Sequence, residues 1–188
     1  MTLDRAAVRQ ALAGHPVARL STENLAPAAV LLPLFTRDGE DQVLFTRRPE
    51  TMPHHRGEIS FPGGRRQPGD ADLLATALRE TQEEMGIAAR DVEVLGRLDD
   101  FFSVHGYHVT PYVGGFPYPY AFRVDPREIA EVIAVPLARL RDPAVFRTED
   151  WSHRGRTWPV HFYRIDHHEI WGLTAAILSQ FLERTAHL

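Results

Sequence analysis

Three glutamates, Glu80, Glu83 and Glu84, fall close together in the stretch from Phe61 to Ile87, FPGGRRQPGDADLLATALRETQEEMGI. On a helix, at about 100° per residue, they share roughly a 100° sector of one face. Carboxylates stacked this way repel one another and weaken a bare helix. A hard divalent cation bound through oxygen removes that repulsion, and Mg²⁺ or Mn²⁺ suit such donors. A Glu-Glu pair alone is ordinarily a solvated face. Here it follows a glycine pair, Gly63 and Gly64, whose backbone can approach a ligand closely, and it lies beside Arg79.

The helix that must position these groups carries Leu74, Ala77, Leu78, Thr81 and Met85 on the opposing side, the face expected to be buried. Asp70 or Asp72 can serve as its N-cap, and Gly86 suits the left-handed position just past its end.

With 188 residues and 44% apolar content, the chain can bury one good core, so residues 1–188 are expected to form one domain. The absence of cysteine rules out disulfides and thiolate metal sites. The N-terminus shows no basic region followed by an apolar run, and no apolar stretch is long enough to span a bilayer. A cytoplasmic protein with no membrane partner is the expectation. A net charge of −4 argues against nucleic-acid binding through a generally basic surface. Arg47-Arg48 and Arg65-Arg66 still offer local positive charge for a phosphorylated small molecule.

Residues 2–13 read as a short amphipathic helix with Leu3, Ala7, Val8 and Leu12 aligned and Gly14 as its stop. Residues 16–27 read as irregular. The run from Ala28 to Phe35 reads as a buried strand in which Pro33 forces a bulge or an edge. Asp38-Gly39 turns it into a second strand, Gln42 to Arg47. Further strands are expected over Val92–Leu98, Tyr107–Gly114 and Glu131–Val135, with a turn at Asp99–Ser103, an aromatic loop at Pro117–Tyr120 and a helical turn through Leu140. A hairpin fits Val145–Ile165 around His153-Arg154-Gly155-Arg156. A last helix is expected to begin near Asp166 with Glu169 completing a capping box, and to bury Ile170, Leu173, Thr174, Ile177, Leu178 and Phe181.

The spacing of Gly64, Arg79-Glu80, Glu83-Glu84 and Gly86-Ile87 resembles the box of the Nudix hydrolases. That pattern is Gly, five residues, Glu, seven residues, Arg-Glu-hydrophobe-x-Glu-Glu-x-Gly-hydrophobe. Thr81 stands in for the hydrophobe. Asp70 replaces the first glutamate, and eight residues separate it from Arg79. Upstream, Leu44-Phe45-Thr46-x-Arg48 and Gly57-x-x-x-Phe61-Pro62-Gly63-Gly64 look like the motif preceding the box in the coenzyme A pyrophosphatase branch. That branch usually has Arg where this chain has Pro53, while His55 fits a histidine often found nearby. Its box commonly has the acidic residue and spacing seen here. Glu169 to Ala175 also looks like the branch's terminal helix.

The resemblance implies an α/β Nudix fold, a mixed β-sheet sandwiched between helices, and hydrolysis of a small-molecule diphosphate with Mg²⁺ or Mn²⁺. Glu83 and Glu84 are then the first metal ligands, with Glu80 a third ligand or the general base, and the Gly64 carbonyl completing the shell. Arg79 would orient the glutamates. A later loop could instead supply the base from Glu128 or Glu131. Arg48, Gly57, Gly63, Gly64 and Arg65 are the substrate-binding candidates, and Arg48 comes first for the 3′-phosphate of coenzyme A. Cleavage would give 4′-phosphopantetheine and adenosine 3′,5′-bisphosphate. The assembly state is open and admits a homodimer. One alternative is a pyrophosphatase for ADP-ribose, nucleotide sugars or dinucleotides. Another is a Nudix-fold binding module without catalysis, against which the intact glutamates speak.

Ten histidines invite a zinc reading, but His54-His55, His105 with His108, and His167-His168 lack helical spacing beside a carboxylate. They read as structural or surface residues, with His105 or His108 near enough to the Phe101-Phe102 turn to reach a substrate. No nucleophile elbow, P-loop or dinucleotide glycine motif is present.

Overall fold

An apolar run buried on both faces must be a central strand, and the run ending at Phe35 is one. The computed structural model describes residues 2–19, 24–51, 56–153 and 155–188. In chain order they form α1 (Arg5–Ala13), β1 (Ala26–Arg37), β2 (Glu40–Arg47), β3 (Ile59–Ser60), β4 (Gly63–Arg65) and α2 (Leu73–Met85). Next come β5 (Glu93–Arg97), β6 (Phe101–Ser103), β7 (Tyr107–Gly115), β8 (Glu131–Pro136) and α3 (Leu137–Leu140). The chain ends with β9 (Phe146–His153), β10 (Arg156–Ile165), β11 (His168–Trp171) and α4 (Gly172–Arg184).

The main sheet follows the order β3-β2-β1-β7-β5, with β4 on β1, β6 on β7 and β8 on β2. It is mixed: β1 and β7 run parallel, and the other pairings are antiparallel. Side chains alternate across β1. Leu32 and Leu34 join Val8 and Leu12 of α1 and Ile177, Leu178 and Phe181 of α4 in one core cluster. Ala29 and Leu31 meet Ala77 of α2, and Phe35 meets Met85. The sheet is thus flanked by α2 on one face and by α1 and α4 on the other, the expected architecture. A second, three-stranded sheet, β9-β10-β11, adds Tyr163, Ile165 and Ile170 to the α4 side. Among the described residues no helix is long and apolar enough to cross a membrane.

Several local expectations are corrected. Pro33 makes neither an edge nor a bulge; it is buried in the central strand and lies opposite Gly114 of β7. On its other side β1 changes partner from β4, last paired at Val30, to β2, first paired at Leu34. The residue with no N–H to donate lies in that gap. The expected turn after Asp99 is instead the short strand β6, and its hairpin turn comes later, where Gly106 has φ 85°. The final helix does not start at Asp166. Asp166, at φ 53°, turns the chain into β11, which pairs with β10, and α4 begins at Gly172 without a side-chain cap. Ile170 therefore enters the core as a strand residue. Buried Arg184 of α4 is 2.7 Å from Asp99, which also accepts from Gln180 at 2.6 Å, so α4 is pinned to the strand connection beneath it.

The helix nearest the glycine pair is capped by Asp72, whose carboxylate accepts from the Ala75 amide at 2.7 Å. Asp72→Ala is expected to lower stability by about 1 kcal/mol, read as a lower denaturant midpoint at unchanged m. An unchanged midpoint would mean that water satisfies the freed amide equally well.

Candidate active site

The glycine pair acts by letting surfaces touch. Gly63 and Gly64 in β4 lie opposite Val30 and Ala29 of β1. A Cβ on Gly63 would fall 2.3 Å from the Ala29 carbonyl oxygen, and one on Gly64 would fall 2.6 Å from the carboxyl carbon of Glu80. At Gly63 the clash is with backbone and leaves no room for a side chain, whereas at Gly64 a side chain would have to push the Glu80 carboxylate aside. At the far end of α2, Gly86 takes the left-handed cap at φ 74°, as its sequence position suggested. The chain then returns over this end: Arg123 donates its amide to Met85 and Asp125 its amide to Glu84.

Asp70, the residue that departs from the family pattern, is buried and holds Arg79 from the loop before the helix. Arg79 Nε is 2.8 Å from Asp70 Oδ1, and Nη2 is 3.1 Å from Oδ2. Thr76 Oγ1 and the Gln67 amide also donate to Asp70, each at 2.8 Å. The Arg79 hydrogen bonds, helped by these donors and by Arg79's charge, hold the Asp70 carboxyl well below the usual carboxylate range despite its burial. Arg79 reaches onward with Nη1 to Glu80 at 2.9 Å and Glu83 at 3.0 Å, and with Nη2 to the Arg65 carbonyl at 3.1 Å.

The three glutamates share a sector of the helix but not an environment. Glu83 is exposed, Glu80 is half-buried, and Glu84 is only 4% exposed. Leu74 and Leu78, expected to be buried, are only partly covered, while Thr76 and Glu84 lie inside. The face was displaced because β4 and the returning 123–125 segment pack beside the carboxylates. Burial pushes the Glu84 carboxyl up to about 8; Arg48's charge opposes this, Glu80 and Glu128 reinforce it, and the Gly63 amide donates to it. Burial also raises Glu80, against the hydrogen bond and charge of Arg79 and with reinforcement from Glu83 and Glu128.

Of the two later-loop candidates, Glu128 therefore acts electrostatically on both buried glutamates. Glu131 instead pairs with Arg47 at 2.8 Å. Arg48 bears on Glu84. Arg65 is exposed on β4, its guanidinium 5.9 Å from the Tyr107 ring centre. Gly57, at φ 64°, approaches the Glu50 carboxylate and lines a cavity with Arg47 and Glu131 rather than joining the glutamates. Pro53, His54 and His55 lie outside the described residues. His108 is buried 2.9 Å from Asp100, which also accepts from Thr110, so it serves the interior; His105 is exposed on a turn.

In donor type this set suits a hard divalent cation, although the ligand oxygens of Glu80, Glu83 and Glu84 do not all lie within 4.8 Å of one another in this structure. It is all oxygen, it concentrates anions on one helix face, and at Glu84 it holds a carboxylate whose ionised form burial disfavours. Glu80, Glu83, Glu84 and the Gly64 carbonyl would hold the ion. Sequence reasoning missed the Asp70–Arg79 clamp and the depth of Glu84. The only signal for the first was an aspartate at the box position.

The model of the NUDIX domain family matches residues 25–155. A Nudix hydrolase named NudL from Photorhabdus laumondii is 41% identical over 169 residues, covering 90% of this chain and 89% of that protein. A NudL from Yersinia pestis is 37% identical over 159 residues, covering 85% and 79%. Among solved structures, a MutT/nudix family protein from Enterococcus faecalis aligns with a TM-score of 0.56 at 15% identity, covering 93% of this chain and 66% of that one.

A buried acid with a raised pKa has a definite pH signature. Folded, metal-free protein keeps Glu84 protonated up to about pH 8, whereas an unperturbed glutamate ionises near 4.5. The unfolded chain thus releases this proton first, and the contribution of Glu84 to stability falls as pH rises between those values. Chelator-treated Glu84→Gln should melt with wild type near pH 5 and several degrees above it near pH 8.5. A difference independent of pH would refute burial as the controlling influence on Glu84.

Proposed function

The chain belongs to the Nudix hydrolase family, and from that premise we propose that it is one hydrolase domain cleaving the pyrophosphate bond of coenzyme A or its derivatives. Water adds across the bond, giving 4′-phosphopantetheine and adenosine 3′,5′-bisphosphate. The observation that carries the hydrolytic reading is the pair of partly and fully buried carboxylates, Glu80 and Glu84, pressed against the glycine edge of β4. Mg²⁺ or Mn²⁺ bound there supplies charge neutralisation to the diphosphate and to the leaving phosphate. Glu80, Glu83 and Glu84, with the Gly64 carbonyl, would hold the cation, and Arg79 keeps the first two glutamates in place without touching substrate. Glu128, exposed and near both buried glutamates, takes the proton of the attacking water.

Support for the coenzyme A class comes from the stretch Leu44 to Gly64 and its likeness to that branch. Because Arg48 bears on Glu84, we assign it to the diphosphate. Arg65, exposed beside Tyr107, is the better candidate for the 3′-phosphate.

A product-resolved panel of coenzyme A, its 3′-dephospho analogue, ADP-ribose and a dinucleoside polyphosphate, each with Mg²⁺ and with Mn²⁺, tests the reading. Coenzyme A should show the highest kcat/KM, and Glu84→Gln should lower it at least about a hundredfold while the protein stays folded. Arg65→Ala should reduce kcat/KM for coenzyme A about ten- to a hundredfold more than for the dephospho analogue, since a charge-assisted contact contributes roughly 1.5–3 kcal/mol. Arg48→Ala should reduce both alike. Preference for ADP-ribose would overturn the substrate class alone; binding without turnover across the panel would overturn the hydrolase.

A further inference from the structure

Away from the glutamate helix, Glu131, His167 and His168 bring three ligand atoms within 4.8 Å of one another, the one such trio among the described residues. They come from two sheets: Glu131 opens β8, and the histidines lie at the turn entering β11. Consecutive side chains of a regular strand point to opposite faces. Here the left-handed Asp166 bends the chain, and the two imidazole centres are 3.9 Å apart. His168 Nε2 is 3.5 Å from Glu131 Oε1. Two ligands of one tetrahedral ion with bonds of about 2.0–2.1 Å stand roughly 3.3–3.4 Å apart, so this pair already has that spacing.

The other oxygen of the same carboxylate is occupied. Arg47 Nε donates to Glu131 Oε2 at 2.8 Å. A guanidinium that holds one oxygen of a carboxylate, leaving the other turned toward the histidines, is the kind of outer hydrogen bond that orients a metal ligand. A cavity of about 440 Å³, bounded by Arg47, Glu50, Gly57 and Ile59, opens beside the trio and leaves room for a further ligand or solvent.

We propose that Glu131, His167 and His168 form a second metal site, for a zinc-class transition ion, separate from the hard-cation site on the glutamate helix. Imidazole donors select such ions over Mg²⁺, which takes oxygen and keeps its water. Three protein ligands leave a fourth position open to the cavity. The occupied site ties the end of β2, through Arg47, and the start of β8 to the β10–β11 hairpin, and so joins the two sheets.

The test is calorimetric titration of the full chain with Zn²⁺ in millimolar Mg²⁺, repeated with Co²⁺ to read the absorption of a tetrahedral site. One equivalent should bind wild type and Glu84→Gln equally. His168→Gln should weaken it at least about tenfold. His167→Gln, with folding checked by circular dichroism, repeats the test should His168→Gln fail to fold. Binding that survives both histidine changes would place the ion on other surface histidines and overturn the site. Binding lost in Glu84→Gln or competed away by Mg²⁺ would place it on the glutamate helix, with the same result.

Discussion

Arg79 is asked to satisfy five acceptors at once. A guanidinium has five N–H donors in a fixed plane, and here they meet both oxygens of Asp70, the Arg65 carbonyl, Glu80 and Glu83. The arginine is thereby fully committed to the protein. Its position is set from the loop by Asp70, and the positions of two glutamates are set from Arg79. A buried Arg–carboxylate pair adds little net stability over an apolar pair, but losing either partner strands a charge and costs about 3–5 kcal/mol. Such a clamp fixes geometry more than it stabilises the fold. Glu84 is left outside it, with the charge of Arg48 and the Gly63 amide for support, and burial disfavours its ionised form.

The family departure at Asp70 acquires a physical reason in this arrangement. The side chain is anchored by the Gln67 amide and by Thr76 before it meets Arg79. A short acid with one extra loop residue therefore delivers its two oxygens to the same guanidinium. Helix capping falls to Asp72 instead.

Elements with a long, regular pattern were legible in the sequence: α2 with its glycine stop, the β1–β2 hairpin around Asp38-Gly39, and the β9–β10 hairpin. The motif from Gly64 to Ile87 resembled the Nudix box, and the family is the one whose model matches residues 25–155; that resemblance also implied Glu80, Glu83 and Glu84 as ligand candidates. What escaped depends on contacts distant in sequence. The depth of Glu84 follows from a segment near Arg123 folding back over the helix end. Pro33 looked like a breaker because no sequence rule shows that β1 changes partner beside it. Asp166 and Glu169 mimicked a capping box, yet the alternation from His168 to Trp171 pairs with β10. Glu131 and the His167-His168 pair are brought together by two sheets meeting.

The parallel pairing of β1 with β7 orders the events of folding. Ala26 meets Tyr107 and Leu34 meets Gly115, so the whole chain from β2 through β6 is looped out between the two partners. The hairpin of β1 and β2 closes a few residues and can form early, whereas the parallel contact must first overcome the entropy of closing that long loop. The glycine edge of β4 rests on β1, and the Glu80 carboxylate rests on that edge. The acidic cluster, although contiguous in sequence, thus stands on a strand whose other edge is closed by a contact that spans the segment carrying the cluster.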